Sequence, residues 1–155
     1  MTSAPCSTVA PPQSQSEVLI INCDKKPYVP IGFTLPDKNH RKGGQIVFDP
    51  THFSLWTPMR GVRGSLTGND VLRLAQDKPL ANCCVIDFLS RKQDRTPLEW
   101  TGKVFTLGTI YESGKNRYAR YLNQTVPFGF VCDPMWLGLY WDENCHVLLY
   151  TPPKS

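Results

Sequence analysis

The sequence predicts an α+β domain: an antiparallel β-meander or partial barrel of about five to seven strands, with two short helices packed on one face. Three observations carry this. Fourteen Pro and eleven Gly in 155 residues punctuate the chain into short elements. Seven Phe, six Tyr and four Trp favour strands. The spacing of apolar residues is helical between 67 and 92 and changes to a period of two beyond 103.

Residues 1–16 are rich in Ser, Pro and Gln, carry no charged side chain and lack the apolar content to order themselves. They read as a flexible tail before a single domain at 17–155. Val18–Asn22 is a β-branched run and the first expected strand. A basic connection from Asp24 to Gly44 follows, with a short strand expected near Ile31–Leu35, and then Gln45–Phe48 as the next strand. Asp49-Pro50-Thr51-His52 has a capping residue before a proline and predicts one helical turn. Thr67 with Asp70 three positions on is a capping box opening a helix through Val71, Leu74 and Ala75, which Lys78-Pro79 ends. A second helix is expected over Asn82–Lys92, with Cys84, Val85, Phe88 and Leu89 on its buried face. Asp87 and Arg91 would then be a solvated i, i+4 pair. Thr96-Pro97-Leu98-Glu99 is a further cap, and Gly102 stops it.

Beyond Lys103, the residues Phe105, Leu107, Thr109 and Tyr111 fall on one face of a strand. A turn at Glu112–Asn116 leads into Arg117–Leu122. Val126–Cys132, Met135–Trp141 and Cys145–Tyr150 complete the meander, with Asp133-Pro134 and Asp142–Asn144 as turns. Pro127 suits an edge strand.

Composition narrows the function classes. Hydrophobic residues make up 41% and charged residues 19%, which excludes a charged disordered chain and a coiled coil. No apolar run approaches the ~20 residues of a membrane helix, so no membrane association is expected. A net charge of +4 permits an anionic partner. The chain has six Cys and an N-terminus without a secretory pattern, so reduced thiols in a cytoplasmic protein are expected.

The stretches Leu80-Ala81-Asn82, Val85-Ile86-Asp87-Phe88-Leu89, Glu99-Trp100, Gly108-Thr109-Ile110-Tyr111 and Arg120-Tyr121-Leu122 resemble a set of small bacterial proteins with no assigned activity. The similarity extends over roughly 47–150 and is densest between 80 and 122. Leu107 departs from that pattern, which has an aromatic before Gly-Thr-Ile-Tyr. The resemblance implies architecture and carries no catalytic or binding residue with it.

The motifs that carry chemistry are sparse. His40, His52 and His146 lack a neighbouring ligand at metal spacing, and no Cys-x-x-Cys occurs, so no metal or cofactor is expected. No nucleophile elbow, Walker sequence or dinucleotide fingerprint is present, and Gly61–Ser65 is a low-specificity glycine loop. Asp49 and Asp87 stand among apolar neighbours, which raises a carboxyl pKa when burial follows. Cys83, out of phase with the buried helix face, is the candidate reactive thiol of a small thiol-dependent enzyme. Lys115, Arg117, Tyr118 and Arg120 interleave charge with aromatics on one hairpin. With Arg60 and Arg63 they are candidate contacts for RNA or single-stranded DNA. Trp136 and Tyr140 form a candidate partner patch. With no catalytic residue assigned, these features favour a non-catalytic binding protein acting through a macromolecular partner, a protein first and nucleic acid second.

Overall fold

A computed structural model describes residues 17–125 and 129–154. The expected tail at 1–16 and Pro127 lie outside the described residues. In chain order the elements are β1 (Ile20–Asn22), β2 (Gln45–Val47), β3 (Phe53–Trp56), α1 (Gly68–Leu74), α2 (Cys84–Arg91), β4 (Lys103–Phe105), β5 (Tyr111–Ser113), β6 (Asn116–Thr125), β7 (Gly129–Trp136) and β8 (Cys145–Tyr150). The α+β class holds, and all but one of the strand pairs are antiparallel.

β6 is the axis of a six-stranded sheet. Along one edge it pairs β7 from Tyr118↔Trp136 to Thr125↔Gly129. Along the other it pairs β5 through Tyr118↔Tyr111 and β4 through Leu122↔Val104. β8 then joins β4 in parallel and β3 in antiparallel. β1 and β2 form a separate two-stranded ribbon. Sequential neighbours alone do not build this sheet, because β8 inserts between β3 and β4.

Two expected strands are divided. The run Phe105–Tyr111 leaves the ladder at Thr106–Ile110, where the Gly108 N–H donates to the Ala81 carbonyl at 3.0 Å and its carbonyl accepts from the Arg41 N–H at 2.8 Å. A Cβ at 108 would stand 2.8 Å from the Ala81 oxygen, so only glycine allows this approach. The run Met135–Trp141 turns at Leu137–Leu139, with the Trp136 ring lying over Gly138. Asp133-Pro134 is inside β7 and is not a turn. Among the described residues β7 pairs only with β6, and an edge strand tolerates proline. The expected strand at Ile31–Leu35 is reduced to one bridge, Thr34↔Glu112.

The capping signals form as expected. Thr67 Oγ1 accepts from the Asp70 N–H at 3.2 Å, and Asp70 Oδ2 accepts from the Thr67 N–H at 2.9 Å. Asp49 caps the short 3-10 turn Pro50–His52.

The helices do not share a face, which corrects that part of the expectation. α1 places Val71, Leu72 and Ala75 against Phe105, Ala119, Leu137 and Val147. α2 places Val85, Phe88 and Leu89 against Val104, Tyr111, Leu122 and Leu148. Adjacent strand residues point to opposite faces. Val104 with Phe105, and Val147 with Leu148, are therefore pairs in which both faces carry a buried apolar side chain. Each face needs its own cover, and each helix supplies one. The ribbon closes the α2 layer from outside through Ile21, Ile46 and Phe48.

Candidate functional site: a basic cleft between the ribbon and helix α2

A cleft of about 690 Å³ opens beside β1, within the size range of ligand sites. One wall is formed by Ile20–Asn22, and the next by the loop carrying Lys25, Lys26 and Tyr28. α2 contributes Asp87, Ser90 and Arg91, and Arg120 of β6 reaches the floor.

Arg120 is 5% exposed, and its placement follows from strand phase. It shares the α2 face with Tyr118 and Leu122, two and two residues away. Its Nη1 donates to Asp87 Oδ1 at 2.7 Å and to Cys83 Sγ at 3.2 Å. The Tyr28 ring lies 5.4 Å from the guanidinium. Asp87 also accepts the Tyr28 N–H at 2.7 Å, and the Tyr111 hydroxyl donates to the Tyr28 carbonyl at 2.6 Å. The ion pair therefore holds the loop that presents Lys25 and Lys26. Burial works against the Arg120 charge, but the Cys83 sulfur, the Asp87 carboxylate and the Tyr111 hydroxyl offset it and hold its pKa above the ordinary arginine value. Lys25, Lys26 and Arg91 are exposed and have no carboxylate partner among the described residues.

Behind the floor, His40 is buried and fully bonded. Its Nε2 lies 3.0 Å from the Cys23 carbonyl, which can only accept, so Nε2 carries the proton. Nδ1 then accepts from the Thr109 hydroxyl at 2.9 Å, and Thr109 Oγ1 accepts the Cys83 N–H at 2.9 Å. Asn82 donates to the Cys23 and Arg41 carbonyls and accepts the Cys84 N–H, opening α2. Cys84 Sγ is 3.9 Å from His40 Nε2, but that nitrogen is already a donor to a carbonyl and cannot take the thiol proton.

The thiol reading fails on burial. Cys83 is fully buried, where the sequence placed it near solvent, and burial pushes its pKa up. Burial pushes Cys84 up to about 12, with the Cys23 thiol adding to the shift. Cys23 is pushed up to about 11 by burial and then by Asp24, and Cys132 to about 12 chiefly by burial. Burial is thus the largest influence on every described cysteine and raises its pKa.

The hairpin residues divide. Lys115 is exposed at the turn, and Arg117 reaches to Asn69 Oδ1 of α1 at 2.8 Å. Tyr118 packs edge-on to Phe33 at 4.7 Å, and Arg120 is spent inside. The basic-aromatic hairpin is thus not one open stacking surface, because alternation sends its members to opposite faces. Arg60 and Arg63 are exposed in the loop before α1. Trp136 and Tyr140 are both exposed, but the turn at Leu137–Leu139 removes them from a common strand face. The expected Asp87–Arg91 pair is replaced by Asp87–Arg120. Asp49 accepts the Thr51 N–H and hydroxyl, which hold its pKa below the ordinary carboxylate value rather than above it.

Among the described residues, no group of three or more His, Cys, Asp or Glu could hold a metal ion, and no helix is long and apolar enough to cross a membrane. No known protein family, curated protein or solved structure matches the chain.

Proposed function

We propose that the protein is a non-catalytic binding protein that receives an acidic segment of a partner protein in the cleft between β1 and α2. The observation that carries this reading is the charge around the cleft. Lys25, Lys26 and Arg91 stand free at its rim, while the carboxylate there, Asp87, is already paired with Arg120. Such a rim draws in an anion and speeds its encounter. The Asp87–Arg120 pair already holds the Tyr28 loop at its floor, which lowers the ordering cost of binding. Cys23, Cys83, Cys84, Cys132 and Cys145 are free thiols, which supports a reducing, cytoplasmic setting.

The test is fluorescence anisotropy with a labelled oligoglutamate at two salt concentrations. Binding that weakens with salt and is lost in Lys25→Glu with Lys26→Glu is expected. Absence of binding at low salt overturns the reading. A labelled single-stranded RNA run in parallel addresses the hairpin: tight binding lost in Lys115→Ala with Arg117→Ala would move the function there.

A further inference from the structure

We infer that the cleft takes its ligand as an added β-strand: an extended acidic peptide pairs with the outer edge of β1. This rests on the binding role proposed for the cleft and names the form of the partner.

Two hydrogen bonds set the phase of the ribbon's ladder. The Phe48 N–H donates to the Leu19 carbonyl at 2.7 Å, and the Cys23 N–H donates to the Gly44 carbonyl at 2.8 Å. With Ile21 opposite Ile46, residues 19, 21 and 23 are the hydrogen-bonded positions of β1. Antiparallel alternation then turns the backbone N–H and C=O of Ile20, and the N–H of Asn22, away from β2. β1 has no other strand partner among the described residues, and Ile20 and Asn22 line the cleft. A row of outward backbone groups therefore borders a space with a basic rim.

Edges of this kind are usually blunted by proline or inward-pointing charge. Residues 18–22 contain neither, and Val18 and Ile20 are 68% and 57% exposed. Ile20 lines the cleft with Lys25, Lys26 and Arg91, and Val18 stands at period-two spacing from it, a pattern that suits a strand in which acidic and apolar residues alternate. Main-chain bonds to the edge give affinity, and alternate side chains give specificity. The free charge at the rim is positive, so the added strand is acidic.

The probe is a fluorescein-labelled octapeptide of alternating Glu and Val, measured by anisotropy with the full chain. Two N-methylated forms block alternate amides in opposite phases and leave the charge unchanged. One phase is expected to bind about tenfold more weakly, since it loses the bonds to β1, and the other to bind like the parent. Ile20→Pro removes the outward N–H together with the exposed Ile20 side chain and leaves the bonds to β2, which an edge strand tolerates, and is expected to weaken binding about tenfold with an unchanged melting temperature. Equal affinity of both N-methylated forms and the parent overturns strand addition, whether or not the Ile20→Pro variant folds. If those equal affinities are lost in Lys25→Glu with Lys26→Glu, the cleft stands as an anion site and only the strand is wrong. No binding of oligoglutamate or octapeptide removes both. Displacement of the octapeptide by single-stranded RNA, with RNA affinity unchanged in Ile20→Pro, assigns the cleft to nucleic acid and overturns the inference.

Discussion

The two faces of the central sheet are built from the same strands and solve different problems. The α1 face is apolar at its centre: Phe105 stacks on Trp141 with ring centroids 4.4 Å apart, and Ala119, Leu137 and Val147 are fully buried around it. The α2 face has a comparable apolar layer, yet it carries Arg120 and Asp87 where the layer meets the cleft. The α1 face excludes water and holds the chain together. The α2 face accepts the cost of a desolvated charge that fixes the Tyr28 loop beside it. The proposed function would thereby separate stability from binding across a single sheet.

The largest effect that can break this division is Phe105→Ala. Removing a fully buried ring leaves a cavity under Trp141, and destabilisation of about 4 kcal/mol is expected in urea unfolding. Asp87→Ala follows at about 3 kcal/mol, because it leaves the Arg120 guanidinium buried without its counter-charge. A loss from Asp87→Ala larger than that from Phe105→Ala would mean that the polar pair, and not the dry face, anchors the fold.

The pair also shows where sequence reasoning ends. The capping box at Thr67, the helix at Cys84–Arg91 and the ribbon strands follow from local chemistry and were legible as such. Arg120 was legible only as one of several basic residues in a hairpin. Its phase with Leu122, and the i, i+4 relation of Asp87 to the buried Cys83, are the signals that place both on a core face. Neither signal names the other residue, since a strand and a helix 33 positions apart meet only through the fold. The same limit hid the cleft. The sequence of β1 reads as a strand, but which of its edges stays open depends on its pairing with β2. The divided strands escape sequence reading for a related reason: a period of two persists through Thr106–Ile110, although beyond the Thr106 N–H, which still donates to the Arg120 carbonyl, the backbone bonds of Gly108 and Ile110 go to Ala81, Asn39 and Arg41.

A gentler test uses the thiols, most of which lie on the α2 side. Cys23, Cys83, Cys84 and Cys132 all belong to or pack against that layer, and burial raises the pKa of each. A thiol raised in the folded state contributes no penalty below its ordinary value of 9.0. As pH rises past that value, the unfolded chain loses its protons first and the folded state loses ground. For Cys23 and Cys84 the window runs from 9.0 to about 11 and about 12. Urea midpoints are therefore expected to fall between pH 8 and pH 10.5. Cys23→Ala with Cys84→Ala should flatten that fall, and an unchanged slope would show that these thiols are solvated.

The smallest expected effect sharpens the comparison most. Replacing both members of the pair, Arg120→Met with Asp87→Leu, removes the buried charges together and extends the dry character of the α1 face to the α2 face. Buried pairs exchanged for apolar side chains of similar volume are often neutral in stability. The double variant is therefore expected within about 1 kcal/mol of the parent protein, although Asp87→Ala alone costs about 3 kcal/mol. The cleft should respond differently. Asp87 holds the Tyr28 N–H, and Arg120 lies beneath the Tyr28 ring, so the loop presenting Lys25 and Lys26 loses both supports. Oligoglutamate affinity should then fall even though one charge of each sign has been removed and the net charge of the cleft is unchanged. A double variant as unstable as Asp87→Ala would assign the pair to the fold. One that is stable and binds undiminished would leave the pair without a part in either face's task.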